Sequence, residues 1–177
     1  MKILGIVTAR GGSKRVPRKN INDFCVKPLL AWTAEAGIAS GVLDRFVLST
    51  DDAEIAEVGK KAGLEVPFMR PTELASDTAS SYEAVKHAVE WLKENKKYEA
   101  DWIILLEPSS PVRQPFHLKE VAELISKPDV KFDSLLGIAK MPAHYSHLKE
   151  MQRDEKGIIT RVGDGAIVRN LIHRNQD

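Results

Sequence analysis

The chain has 177 residues, with 26 Lys plus Arg against 25 Asp plus Glu and a net charge of +1. That length suits one ordinary domain, 1–177, and the near-even balance gives no overall pull toward nucleic acid or an anionic membrane, so any anion site must be local. Cys25 is the single cysteine, which excludes an internal disulfide and a cysteine-built zinc site, and it is expected to be a small half-buried side chain. The longest apolar runs are strand-sized and the first residues lack the order of a signal peptide, so the expected location is the cytoplasm.

An apolar run, Ile3 to Ala9, reads as a buried first strand. The loop after it, Arg10-Gly11-Gly12-Ser13-Lys14-Arg15-Val16-Pro17-Arg18-Lys19-Asn20, holds five cations with no acid among them. Neither a dinucleotide fingerprint nor a P-loop is present. Gly11 and Gly12 can turn backbone amides toward an anion, Ser13 adds a hydroxyl, and Arg10, Lys14 and Lys19 add charge, a combination suited to a polyphosphate. The alternative is a solvated basic loop.

Further along, Pro28 can open a helix as its first residue and Gly41 can close it, with Leu29, Leu30, Ala34 and Ile38 facing inward. A strand follows at Arg45–Ser49. Asp51 with Glu54 has capping-box spacing for a second helix that Gly63 stops, and this cap accounts for Asp51 better than a metal does. Glu65–Phe68 is the third expected strand. Ser80 and Glu83 repeat the capping box before a helix whose Val85, Ala88, Val89 and Leu92 share one face. Trp102–Leu106 is a strand, Pro115 starts a helix, and Ser134–Ala139 is the last clear strand. Gly157 to Val168 suits a short strand or hairpin. The alternation of strands and helices predicts an α/β, Rossmann-like three-layer sandwich with a mostly parallel sheet and a ligand beyond the carboxyl ends of its strands.

Two more segments lie at such ends. Arg70 to Ser81 is polar and long for a plain connection; Arg70 can reach a base carbonyl, and the small residues around Ala79 leave backbone groups to read the base edge. In Leu105 to Arg113 the prolines break both helix and strand, Glu107 can meet ribose hydroxyls or a cation, and Arg113 can meet an anion. His144, His147 and His173 show no metal-ligand spacing.

Taken in order, Ala9 to Asn20, Ser49-Thr50-Asp51, Arg70-Pro71 with Leu74 to Ser81, and Leu106 to Arg113 resemble the acylneuraminate cytidylyltransferases, the CMP-sialic acid synthetases and their relatives. The resemblance implies the nucleotide-diphospho-sugar transferase type of fold. It also implies transfer of CMP from CTP to the anomeric hydroxyl of a nine-carbon acid sugar, sialic acid or a related nonulosonate, releasing pyrophosphate with Mg2+. On that pattern Arg10, Lys14 and Lys19 are the catalytic cations that cradle the triphosphate with Gly11, Gly12 and Ser13. Asn20 contacts the nucleotide, and Arg70, Ala79 and Ser81 read cytosine. Glu107 lies near ribose and acceptor, and Lys149 meets the sugar carboxylate. A homodimer through about 141–172 is also implied, while enzymes of the eight-carbon acid sugars rank as a lesser reading. Two departures stand out. Glu107 occupies a position where the family commonly has glutamine, and the family's C-terminal strand, last helix and metal-binding aspartates are expected beyond Asp177. The second departure leaves open a CTP-binding remnant without chemistry.

Overall fold

Strand β1 (Ile3–Thr8) is buried along nearly its whole length, and a strand apolar on both faces needs cover on both. The computed structural model of the chain shows that cover; it describes residues 1–14, 16–129 and 131–138, together with the backbones of strands at Met151–Arg153, Ile159–Arg161 and Leu171–Arg174. In chain order, β1 is followed by a small hairpin, β2 (Asp23–Phe24) and β3 (Lys27–Pro28), then α1 (Leu29–Ser40), β4 (Arg45–Ser49) and α2 (Ala53–Lys61). A 3-10 turn (Thr72–Ala75), α3 (Ser81–Lys96), β5 (Trp102–Leu105), α4 (Pro115–Ile125) and β6 (Ser134–Leu136) come next. The strands β7 (Met151–Arg153), β8 (Ile159–Arg161) and β9 (Leu171–Arg174) complete the described elements.

Among the described residues the main sheet has the order β4-β1-β5-β9-β6. β1 pairs in parallel with β4 and β5, while β9 runs antiparallel to both β5 and β6. Because side chains alternate along a strand, Ile3 and Val7 face one layer, where Leu30 and Ala34 of α1, Ile55 of α2, and Leu118 and Ile125 of α4 pack. Leu4 and Ile6 face the other, filled by Ala88 and Leu92 of α3. The expected three-layer α/β sandwich is present.

Several local expectations change. Glu65–Phe68 does not form a strand: Glu65 alone bridges β4, exchanging hydrogen bonds with Phe46 and Leu48, and Pro67, lacking an N–H, cannot extend the ladder. Pro28 is the residue before α1 rather than its first, while Gly41 closes the helix with φ 67° as expected. Ile38 is exposed, and Gly37 faces the sheet in its place. There Gly5 and Gly37 make room for the Phe46 ring, which a Cβ on either would meet closer than 3 Å. Cys25 is exposed on the hairpin, with φ 65°, rather than half-buried. The hairpin β7–β8 and the antiparallel β9 lie where the sequence pattern is weak. Apart from these strand backbones, the 141–172 segment lies outside the described residues.

Candidate active site

Since β1, β4 and β5 are parallel, the segments leaving them emerge at one edge of the sheet. The 70–81 segment joins them there through the Arg70 amide, which donates to the Thr50 carbonyl at 2.7 Å. Between these segments lies a cleft of about 780 Å3. Its walls bring together Arg10, Ser13, Lys14, Lys19, Asn20, Arg70, Ala79, Ser81 and Glu107, residues spread over nearly a hundred positions of sequence. Gly11 and Gly12 line a second cavity of about 400 Å3 that shares Arg10, Ser13 and Lys14 with the first. Lys149, His144 and His147 lie outside the described residues.

The basic loop is fixed by acids from elsewhere. Asp51 accepts the Gly11 amide at 3.1 Å, so that amide is committed within the protein rather than turned to a ligand. Asp52, and not Asp51, caps α2: its Oδ1 accepts the amides of Glu54 and Ile55 at 2.9 and 3.0 Å. The other oxygen of Asp52 receives Arg18 at 3.1 Å, and Arg18 also reaches Glu54. The Ile55 amide bond and the Arg18 charge hold the Asp52 carboxyl below the usual carboxylate range, against its partial burial. Arg18 is thereby directed to α2 rather than into the cleft. Asn20 is buried and donates to the Arg10 carbonyl at 3.2 Å, closing the loop on itself.

Two of the cleft cations meet one carboxylate. Arg10 donates to the Ser76 carbonyl at 2.6 Å and to Asp77 Oδ1 at 2.9 Å, while Lys14 pairs with Asp77 Oδ2. The Lys14 hydrogen bond, with the Arg10 charge beside it, lowers the Asp77 carboxyl. Lys19 makes no ion pair with a described residue. Arg70 is only 7 % exposed and donates through Nε to Ser49 Oγ at 3.0 Å and through Nη2 to the Ser49 carbonyl. Burial lowers its affinity for the proton, a trend the nearby Asp51 charge opposes. A guanidinium held this way sits fixed in the cleft wall.

Arg113 is not among the residues lining the cleft; its Nη1 makes long contacts to Thr33 Oγ1 and the Glu107 carbonyl, 3.4 and 3.5 Å, and so braces the turn after β5 against α1, with the Glu107 charge close by. Asp77, Tyr82, Pro108 and Ser109 line the cleft without having been singled out from sequence. Asp77 had a signal, as an acid in a polar segment opposite a loop of cations.

A model of the cytidylyltransferase family matches residues 4–160. The chain belongs to this family. Among relatives, the pseudaminic acid cytidylyltransferase of Campylobacter jejuni is 45% identical over 133 residues, covering 75% of this chain and 56% of that protein. The CMP-N,N'-diacetyllegionaminic acid synthase of Legionella pneumophila is 35% identical over 126 residues, covering 70% and 53%. The chain thus spans about half the length of the curated relatives it matches. Two solved structures share the cytidylyltransferase fold. A CMP:2-keto-3-deoxy-manno-octonic acid synthetase complexed with CTP has a TM-score of 0.59 at 24% identity over 76% of this chain and 51% of its own. A 4-diphosphocytidyl-2C-methyl-D-erythritol synthase has a TM-score of 0.59 at 13% identity over 98% and 75%.

For a divalent metal, the described residues offer a limited donor set. Among the described residues no three His, Cys, Asp or Glu side chains gather as a metal cluster. The cleft carboxylates are Asp77, already bridging two cations, and Glu107, which accepts a long contact from Ser109 Oγ at 3.4 Å. Such a set does not build a protein cage, but it fits an ion held mainly by substrate phosphates and water with one carboxylate. No described helix is long and apolar enough to cross a membrane.

Proposed function

We propose that the chain carries the nucleotide site of an enzyme that transfers CMP from CTP to a nine-carbon acid sugar of the sialic, pseudaminic or legionaminic type, releasing pyrophosphate. The observation that carries this reading is a cleft lined both by Arg10, Lys14 and Lys19 and by Arg70, Ala79 and Ser81. That lining combines cations suited to a triphosphate with a fixed guanidinium and small residues suited to a base edge.

In this reaction the anomeric hydroxyl oxygen of the sugar bonds to the α-phosphorus, the bond from that phosphorus to the β-phosphate oxygen breaks, and the hydroxyl proton is released. Catalysis then rests on positioning and charge neutralisation rather than on a covalent nucleophile. Arg10, Lys14 and Lys19 oppose the negative charge of the triphosphate and of the leaving pyrophosphate. The fixed Arg70 guanidinium and the small Ala79 and Ser81 face the cytosine edge. Glu107 meets ribose or acceptor hydroxyls, and Lys149 offsets the sugar carboxylate, reducing repulsion between two anionic substrates. Glu107 is the cleft carboxylate that would hold Mg2+, which would supply further charge neutralisation when bound. The working form is a homodimer in the cytoplasm, paired through about 141–172.

The test is pyrophosphate release from CTP, Mg2+ and a panel of nine-carbon acid sugars. Release with at least one sugar, and none with ATP in place of CTP, is expected. CTP binding without release from any sugar would reduce the chain to a nucleotide-binding unit, and absence of CTP binding would remove the reading altogether.

A further inference from the structure

Asp77 stands where a substrate phosphate is wanted. Its two carboxylate oxygens are divided between two cations of the basic loop, Oδ1 receiving Arg10 at 2.9 Å and Oδ2 receiving Lys14. A phosphate bridges such a pair in the same way, one oxygen to each donor. The carboxylate is solvent-exposed rather than sealed in place, with 45 % of the side chain accessible, so an incoming anion can reach it.

The turn that carries Asp77 is one unit. Ser76 Oγ accepts the Ala79 amide at 3.1 Å and bonds Thr78 Oγ1 at 3.2 Å. The same turn is held to the basic loop by Arg10, through the Ser76 carbonyl at 2.6 Å and Asp77. The Ala79 amide bond to Ser76 therefore links movement of Asp77 to Ala79, another residue of the cleft lining.

We propose that Asp77 is an internal occupant of the phosphate site, an anion that holds Arg10 and Lys14 and that the substrate triphosphate displaces. The exchange resets the 76–79 turn as phosphate enters, coupling phosphate capture to the wall that faces the base. It rests on the triphosphate reading of the cleft and adds a cost to phosphate binding that the basic loop alone does not contain. A residue that only positioned the two cations would have the opposite effect on removal, because its loss would leave the donors disordered.

The experiment is calorimetric titration of inorganic tripolyphosphate and of CTP into the full 177-residue chain and its Asp77→Asn variant, with circular dichroism to show that both are folded. The variant should bind tripolyphosphate about three- to tenfold more tightly, since two exposed ion pairs no longer compete, and its affinity should fall more steeply with salt. Asp77→Ala should behave in the same direction, which keeps the result independent of the new amide. Equal or weaker tripolyphosphate binding by both folded variants would overturn the inference while leaving the nucleotide site intact, provided the parent chain binds CTP. Binding of neither ligand by parent or variants would overturn both readings.

Discussion

Gly11 and Gly12 are adjacent, yet alanine should act on them in opposite directions. Neither has positive φ, so both backbones admit alanine, and in each case the unfolded chain loses freedom worth about 0.4–1 kcal/mol toward stability. Their surroundings differ. A Cβ on Gly12 meets nothing within 4 Å, whereas one on Gly11 stands 2.7 Å from Asp52 Oδ2 and 3.0 Å from Asp52 Cβ. Asp52 cannot yield without consequence, because one oxygen caps α2 and the other receives Arg18. Loss of a cap costs about 0.5–2 kcal/mol, and a partly exposed ion pair about 0.2–1 kcal/mol. After the unfolded-state gain, Gly11→Ala should destabilise by roughly 1 kcal/mol while Gly12→Ala stabilises by roughly 0.5 kcal/mol. Urea unfolding of the two variants, compared at equal slope, measures that difference directly with the unfolded-state effect cancelled. A Gly11→Ala chain as stable as Gly12→Ala would refute the role given to Asp52. Tripolyphosphate titration adds a functional contrast: Gly12→Ala should bind more weakly although more stable, since its methyl enters the cavity beside Arg10 and Lys14.

Three other outcomes are expected. Gly37→Ala should lower the urea midpoint, by about 1–3 kcal/mol of overpacking against the buried Phe46 ring, despite the roughly 1 kcal/mol that alanine offers a helix interior; Phe46→Leu in the same chain should recover part of the loss. Burial pushes the Tyr98 hydroxyl from 10 to about 12, and no described group bonds it. The folded chain thus holds this proton more tightly than the unfolded one, so its contribution is complete below pH 10 and is lost as pH rises from 10 toward 12. Tyr98→Phe should keep neutral-pH stability within about 1 kcal/mol of the parent and flatten the alkaline fall; an unchanged fall would place its cause elsewhere. Lys14→Ala should weaken tripolyphosphate binding by about tenfold, as loss of a charged hydrogen bond implies, with little change in melting because the side chain is 77 % exposed; unchanged affinity would return Lys14 to the solvated surface.

How far the sequence discloses this molecule depends on whether a feature is settled by near neighbours. The doubly buried β1, the α3 capping box and the left-handed Gly41 follow from residues within one turn or strand, and each is found as expected. Asp51 and Asp52 show where local reasoning stops. Capping-box spacing favours Asp51, but the Gly11 amide, forty positions away, engages Asp51 and leaves Asp52 to cap α2. Ile38 follows the same logic, since helical periodicity puts it inside while the need to seat Phe46 brings Gly37 to the sheet. The antiparallel β9 is set by its partners β5 and β6 rather than by its own composition.

The basic loop makes the point most sharply for function. Its cations are visible in one line of sequence, but their charge is distributed by acids 34 to 67 positions away, Arg18 to Asp52 and Glu54, and Arg10 and Lys14 to Asp77. Counting cations marks the loop as a candidate anion site, whereas only their pairing separates those that anchor the loop from those that can meet a ligand. Arg18 anchors, because displacing Asp52 would uncap a helix. Arg10 and Lys14 can exchange partners, because Asp77 sits on an exposed turn and caps nothing. While Asp77 holds these two cations the exchangeable charge of this cleft is therefore smaller than its sequence suggests, and it becomes available as an anion of higher charge arrives.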